Sequence, residues 1–170
     1  TKEISLLLGR NQEDPVSLSY PHVEYDAGIY KMWYGSTISW TSDNGEMVHP
    51  IKYAESPDCE NWDHKGTAIP YEIGHAQAFS RPCVYKDMEG YHMWFSYRSG
   101  DGTPYRIGQA FSTNGTEWAM EQSNLNVSDD GWDADMVCYP CVFRHKNIFY
   151  MLYNGNDYGL GGFGLAQSIN

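Results

Sequence analysis

The sequence predicts an all-β protein whose chain folds into β-propeller blades, each a four-stranded antiparallel sheet. Three observations support this prediction. Short aromatic-rich segments alternate with turns of Gly, Asn and Asp, which is typical of antiparallel hairpins. One such unit occurs about three times along the chain at a nearly constant period. Both faces of the predicted strands are apolar or aromatic, so neighbouring sheets must cover them.

The repeat is clearest between Ser80 and Trp118, where three strands and the start of a fourth are separated by polar turns. Its second strand runs from Tyr91 to Phe95. The alternation of a strand directs the side chains of this segment to opposite faces, and nearly all of them are aromatic or apolar. A small sheet of this kind is stable only when stacked on its neighbours, as in a propeller.

Constant spacings relate the three copies. Pro21, Pro82 and Pro140 occupy the same place in each copy, and a large apolar residue follows each proline at one fixed interval. These large residues are Trp33, Trp94 and Leu152. Trp62 and Trp118 likewise occupy one position in the first two copies. Tryptophans that recur in this way are expected to pack between blades.

These spacings predict one propeller-like domain over residues 1–170, with repeats at about 16–66, 78–122 and 136–170 and a spare edge strand at 1–10. The third repeat ends before its outer strand, so an N-terminal strand is available to complete the last blade. Because propellers usually have about four to eight blades, two alternatives remain. The chain is part of a longer propeller, or two chains form a six-bladed ring. Uncovered edges favour association, and we expect a homodimer.

Composition and charge exclude several classes of protein. The formal net charge of -11 argues against binding to nucleic acid or to an anionic membrane. No run approaches the roughly 18 apolar residues of a transmembrane helix. The four cysteines do not form the framework of a secreted scaffold, and the pair Cys138 and Cys141 lacks a second pair of metal ligands. We therefore expect a soluble, cytoplasmic protein without a metal or another cofactor.

Five segments carry a resemblance to a known family. They are Tyr20-Pro-His-Val, Lys31-Met-Trp-Tyr-Gly, Ser80-Arg-Pro-Cys-Val, Tyr91-His-Met-Trp-Phe-Ser and Ser112-Thr-Asn-Gly-Thr-Glu-Trp. With them the sequence resembles the five-bladed β-propeller glycosidases, the clan of arabinanases, xylosidases and invertase-like enzymes. The resemblance implies a saccharide ligand in a central funnel. The sequence departs from the clan because it lacks Trp-Asn-Asp-Pro and Arg-Asp-Pro motifs, the nearest fragments being Glu13-Asp14-Pro15 and Ser80-Arg81-Pro82.

The candidate site residues flank the repeated prolines, because the inner strands of a propeller converge on its axis. Hydrolysis of a glycosidic bond generally needs two carboxyl groups, and the available combinations pair Asp135 with Asp14 or Glu24. The residues expected to bind substrate are Arg81, His22, Asp133, Tyr139 and Trp132. Trp40 and Tyr158 lie outside the repeat pattern and are further candidates for stacking on a sugar.

Each candidate also has a structural interpretation. Arg81 offers a planar fork for a carboxylate, a phosphate or sugar hydroxyls, or it forms a salt bridge to Asp133 or Asp135. The two aspartates suit turn capping equally well. His22 is compatible with a hydrogen-bonded structural role, and Glu24 with a solvent-facing one.

A long polar loop between Trp40 and Pro50 is a further expected location of function. The functional prediction is a glycoside hydrolase-like protein that binds or hydrolyses a saccharide. The alternative is a non-catalytic carbohydrate-binding or assembly module.

Overall fold

The computed structural model describes residues 6–168, and its regular structure is almost all β. Sheet 1 contains β1 (Ser17–Asp26), β2 (Ile29–Thr37), β3 (Ile51–Ser56) and β4 (Asp63–Thr67). Sheet 2 contains β5 (Ala78–Lys86), β6 (Tyr91–Arg98), β7 (Arg106–Ser112) and β8 (Ala119–Glu121). Sheet 3 contains β9 (Cys138–His145), β10 (Ile148–Asn154) and β11 (Phe163–Gln167). Consecutive strands pair antiparallel in every sheet, which confirms the predicted fold class.

One short helical turn, α1 (Asn156–Gly159), connects β10 to β11. Within the described part of the chain, no helix has the length and apolar character needed to cross a membrane.

The inner hairpins of sheets 1 and 3 share one kind of turn. Ala27 and Gly28, between β1 and β2, have φ values of 51° and 88°. Lys146 and Asn147, between β9 and β10, have φ values of 48° and 64°. Two successive residues with positive φ form the turn whose twist matches that of the flanking strands. The turns therefore help to set the register of both hairpins.

A tryptophan turn follows the third strand of sheets 1 and 2. The indole Nε1 of Trp62 donates a hydrogen bond to the carbonyl oxygen of Cys59 over 3.2 Å. Trp118 donates in the same way to the carbonyl of Gly115 over 3.1 Å. The recurrence of the two tryptophans thus reflects a shared turn as well as shared packing.

Sheets 1 and 2 pack face to face around Trp33. This side chain is fully buried, and its Nε1 donates to the carbonyl of Gly115 over 3.0 Å. Its ring contacts the rings of Tyr91 and Trp118 at centroid distances of 5.9 Å and 5.8 Å. A buried aromatic side chain contributes about 3–5 kcal/mol relative to Ala. This junction is the largest hydrophobic core of the described chain.

Sheet 3 is covered on one face only. Ile107 on β7 and Tyr153 on β10 form a buried cluster between sheets 2 and 3. On the other side, Phe163 is 72% exposed and Leu165 is 60% exposed. Both lie on β11, which has no second strand partner within residues 6–168.

The segment before β1 covers the outer face of sheet 1. Leu8 packs against a cluster that includes Met32 and Tyr34. The predicted edge strand at 1–10 lies partly on residues 1–5, which fall outside the described residues. Residues 6–10 are not part of a strand.

Candidate functional site

A β-bulge interrupts the inner strand of each sheet at the residue before the repeated proline. Tyr20 on β1, Arg81 on β5 and Tyr139 on β9 have φ values of 53°, 52° and 59°. The strand pairing shifts register at each of these positions. Left-handed backbone costs a non-glycine residue about 1–2 kcal/mol, and bulges re-aim side chains next to functional sites. Because this conformational free-energy cost recurs at three equivalent positions, we infer that the residues at these positions have a functional role.

We call these three residues the inner-strand triad, in which Arg81 contacts both tyrosines. Because β5 lies between β1 and β9, the Arg81 guanidinium lies between two phenol rings. Its central carbon is 5.2 Å from the ring centroid of Tyr20 and 4.5 Å from that of Tyr139. Cation–π contacts of this kind attract the guanidinium to the faces of both rings. Among the described residues, Arg81 forms no salt bridge to Asp133, Asp135 or any other carboxylate.

A cavity of about 210 Å³ lies beside the triad, between sheets 1 and 2. We call it the hydroxyl cavity, because its polar lining consists of Ser17, Ser19, Thr37, Ser80 and His49. Tyr20 and Tyr139 of the triad contribute to its apolar wall. No carboxylate belongs to the lining within the described part of the chain.

A chain of hydrogen bonds crosses this cavity. The Ser17 hydroxyl donates to Thr37 Oγ1 over 2.8 Å, and Thr37 Oγ1 lies 2.7 Å from Nδ1 of His49. Nε2 of His49 lies 3.3 Å from Ser19 Oγ. These contacts join Ser17, Thr37, His49 and Ser19 into one hydrogen-bonded chain, in which each hydroxyl can donate or accept.

Burial lowers the pKa of His49 to about 4. The imidazole is 6% exposed and fits against Gly35, where a Cβ atom would come within 2.2 Å of Nε2. Only glycine at position 35 leaves room for this ring, so the sequence of β2 helps to create the cavity.

The predicted functional loop between Trp40 and Pro50 forms part of the cavity, because Trp40, Met47 and His49 all line it. Gln77, which is completely buried, fixes the loop. Its Oε1 accepts from Asn44 Nδ2 over 2.6 Å, and its Nε2 donates to the carbonyl of Met47 over 3.1 Å.

A second cavity, of about 260 Å³, lies between sheets 2 and 3. We call it the acidic cavity, because Asp135 and Asp157 both line it, together with Arg98. Asp157 and Tyr158 have φ values of 51° and 58° within α1, which again is strained backbone for residues other than glycine. Asn156 connects the two acidic segments, since its Oδ1 accepts from the backbone N–H of Asp135 over 2.8 Å.

Tyrosines join the two cavities into one composite site. Tyr105 lines both of them. Tyr158 of the acidic cavity stacks on Tyr139 of the triad at a centroid distance of 6.2 Å. A ligand that extends across Tyr105 and Tyr139 would contact both cavities.

Two of the predicted site aspartates instead hold buried tyrosines. Oδ2 of Asp14 accepts from the Tyr34 hydroxyl over 2.9 Å, and Oδ2 of Asp133 accepts from the Tyr153 hydroxyl over 2.8 Å. The interval between the two aspartates equals that between the two tyrosines, so the pairs are equivalent in sheets 1 and 3. Burial, reinforced by the carboxylate, raises the pKa of both tyrosines, for Tyr153 to about 12. Neither carboxylate lines the composite site.

Three other predicted site residues, His22, Glu24 and Trp132, do not line either cavity. Nε2 of His22 lies 3.2 Å from Oε1 of Glu24, so these two side chains pair with each other on β1. The Trp132 ring packs over Gly155 and Gly164, where added Cβ atoms would fall within 2.5 Å and 2.4 Å of it. Trp132 is therefore tied to sheet 3, although it is 41% exposed.

His49 and Asp157 are site residues that the sequence did not single out. Both belong to the connection between the second and third strands of their sheets, and this connection differs in length and sequence among the three repeats, so the overlay of repeats gives no signal for them. Within residues 6–168, no group of three or more His, Cys, Asp or Glu side chains has the arrangement of a metal site.

Glycoside hydrolases are among the solved structures that share this fold. A family 117 glycoside hydrolase from the marine bacterium Zobellia galactanivorans aligns with a TM-score of 0.73 and 17% identity over 96% of this chain and 56% of its own. Sucrose-6-phosphate hydrolase from Lactobacillus gasseri aligns with a TM-score of 0.71 and 14% identity over 94% of this chain and 34% of its own. At these identities the likeness shows the fold alone, which is that of the β-propeller glycoside hydrolases.

The curated relatives of the chain are two uncharacterized proteins of Mycobacterium tuberculosis, from strains CDC 1551 and H37Rv. Each is 43% identical over 163 residues, which cover 94% of this chain and 54% of the relative. The chain thus spans about half the length of the curated relatives that it matches. No family model matches the sequence.

Proposed function

We propose that this chain forms part of the saccharide-binding site of a glycoside hydrolase-like β-propeller protein. The observation that carries the proposal is the inner-strand triad, in which three equivalent bulges bring Tyr20, Arg81 and Tyr139 together beside two cavities. Aromatic rings suit the apolar faces of a sugar, and the nearby hydroxyl groups suit its alcohols. The glycoside hydrolases that share the fold support the same ligand class.

The size of the cavities favours a ligand that spans both. Ligand clefts usually have volumes of about 300 Å³ or more. The hydroxyl cavity has about 210 Å³ and the acidic cavity about 260 Å³, so each alone is below this range. An oligosaccharide laid across Tyr105 and Tyr139 would use the polar groups of both cavities.

Hydrolysis is the second candidate function, and the acidic cavity favours it. Asp135 and Asp157 line the same cavity, and glycosidic cleavage generally requires two carboxyl groups that face one substrate. Asp135 was a predicted catalytic candidate, whereas Asp157 replaces Asp14 as its partner in this proposal. The Asp14 carboxylate accepts the Tyr34 hydroxyl and lies 3.6 Å from Lys52 Nζ, which supports a structural role.

The test of binding is titration calorimetry with a panel of neutral and acidic oligosaccharides. Tyr139→Ala should weaken binding about tenfold or more, because it removes a central aromatic contact. Tyr25→Ala is the matched control, since Tyr25 is an exposed tyrosine on β1 outside the triad. Equal affinity of Tyr139→Ala and the unchanged protein would contradict the proposed site.

The test of hydrolysis uses the oligosaccharides that bind. Asp135→Asn and Asp157→Asn should each abolish turnover while binding persists, because the amide keeps the shape of the carboxyl group but not its acid–base chemistry. Asp130→Asn is the control, as Asp130 is an exposed residue outside the acidic cavity. If the unchanged protein binds these oligosaccharides without cleaving them, hydrolysis is excluded and saccharide binding remains as the proposed function.

A further inference from the structure

Arg81 differs from the other arginines near the site in having no polar partner. Arg98 is paired with Glu46 over 2.8 Å, and Arg106 donates to the carbonyl of Asp135 over 2.8 Å. Arg81 is exposed and, among the described residues, forms neither a hydrogen bond nor an ion pair. A guanidinium has five N–H donors in its plane. All five are available to a ligand.

The contacts of Arg81 with two aromatic rings use none of these donors. Tyr20 and Tyr139 approach the guanidinium with their ring centroids at 5.2 Å and 4.5 Å from its central carbon. A cation–π contact uses the charge of the guanidinium and not its N–H groups, so these donors remain without a hydrogen-bond partner among the described residues. A guanidinium held in this way is ready for two-point binding of a carboxylate or a phosphate, and it loses little side-chain freedom when it binds.

The hydroxyl cavity beside Arg81 offers hydrogen-bond donors and no negative charge. Ser80, next to Arg81 on β5, is 4% exposed, and its Oγ has no hydrogen-bond partner among the described residues. The Ser19 hydroxyl lines the same cavity. The chain has 22 acidic residues against 11 basic ones, yet no acidic residue between residues 6 and 168 lines this cavity. An arginine without an ion-pair partner and a buried hydroxyl without a hydrogen-bond partner, beside a cavity that no described carboxylate lines, match an anionic ligand group.

We propose that the saccharide bound at this site carries an anionic substituent, a carboxylate or a phosphate, and that Arg81 binds it with support from Ser80. This inference rests on the proposed function, because it names the class of sugar that the site takes. The carboxylate of a uronic acid and the phosphate of a sugar phosphate share the chemistry that the guanidinium recognises.

The experiment measures binding to the full chain by titration calorimetry with three monosaccharides: galacturonate, glucose 6-phosphate and glucose. We expect tighter binding of at least one charged sugar than of glucose. Arg81→Met should weaken binding of that charged sugar about 10- to 100-fold, the range for hydrogen bonds to a charged group. Its effect on glucose should stay within about twofold, since the tyrosines and hydroxyls remain. Arg81→Lys keeps the charge but loses the planar fork, so its affinity should be intermediate.

Arg144→Met is the matched control. Arg144 also stacks on an aromatic ring, with its central carbon 5.5 Å from the centroid of Phe149, but it lies on sheet 3 outside both cavities. This variant should bind all three sugars like the unchanged protein. Melting temperatures establish that each variant is folded.

The outcomes separate the two proposals. Selective loss of the charged sugar in Arg81→Met supports the anionic ligand, and the sugar that is lost identifies a carboxylate or a phosphate. If glucose binds as tightly as both charged sugars, or more tightly, the proposal of an anionic ligand fails. The proposed function is then unaffected. An equal loss of all three sugars in Arg81→Met also overturns it. If none of these sugars and none of the oligosaccharide panel binds the unchanged protein, both proposals fail.

Discussion

Acidification should destabilise the protein through His49. The imidazole is 6% exposed and its ring nitrogens contact only the hydroxyls of Thr37 and Ser19. Burial therefore lowers its pKa from the ordinary value of 6.5 to about 4. Between these two values the unfolded chain takes up a proton that the folded chain does not. The contribution of neutral His49 to the free energy of unfolding is therefore complete above pH 6.5. This contribution decreases as the pH falls and no longer changes below about pH 4.

The size of the effect follows from the two pKa values. Each tenfold difference in proton affinity between the folded and unfolded states corresponds to about 1.4 kcal/mol. A pKa that falls from 6.5 to about 4 therefore corresponds to a loss of about 3 kcal/mol once the pH is below both values. Against a total stability of about 5–15 kcal/mol, this loss is large enough to measure.

Urea unfolding followed by tryptophan fluorescence, from about pH 7 to about pH 4, measures this loss. His49→Gln cannot titrate but keeps a donor near Ser19. The unchanged protein should lose about 3 kcal/mol more than His49→Gln over this range. The control is His75→Gln, because the side chain of His75 is 75% exposed. It should follow the unchanged protein. Parallel pH profiles for His49→Gln and the unchanged protein would refute the buried neutral imidazole.

Two further predictions concern the sheets. Tyr34→Phe should cost about 1.5–3 kcal/mol in urea unfolding, because it removes a hydrogen bond to the buried Asp14 carboxylate, and Tyr153→Phe should cost a similar amount; a negligible cost for both would contradict a structural role of the aspartates. We also propose that a second copy of the chain covers the exposed face of sheet 3, so the protein should sediment as a dimer at micromolar concentration and Phe163→Lys should shift it toward the monomer. Sedimentation of the unchanged protein as a monomer would rule out this association.

The fold was predictable because its main interactions are local and repeated. Trp62 and Trp118 each donate a hydrogen bond to the carbonyl three residues earlier in the chain. The spacing of the two tryptophans therefore reveals the repeat in the sequence directly. The alternation of aromatic residues in β6 likewise follows from the geometry of a single strand. The N-terminal segment was harder to predict. Residues 6–10 do not form a strand; among them Leu8 packs against sheet 1, whereas Leu6 is 86% exposed.

The site was predictable only where it coincides with the repeat. Arg81 and Tyr139 were identified because they precede repeated prolines. The position of His49 depends on the notch at Gly35 and on a loop fixed by Gln77, which belongs to the connection that leads into sheet 2. The position of Asp157 depends on a left-handed turn that no repeat predicts. Long-range packing and strained loops leave little trace in sequence periodicity.

The three bulges distinguish the repeated residues that form the site from those that build the scaffold. Where the repeats carry similar large aromatic residues, as at Trp33 and Trp94, the structure uses them for packing. At the bulges the backbone conformation is the same three times while the side chain changes from Tyr to Arg to Tyr. If the bulges served the fold alone, three tyrosines would satisfy it equally well. The arginine instead places a solvent-exposed charge at the central bulge, and no described residue forms an ion pair with it. The anionic ligand proposed above would supply the opposite charge to this arginine.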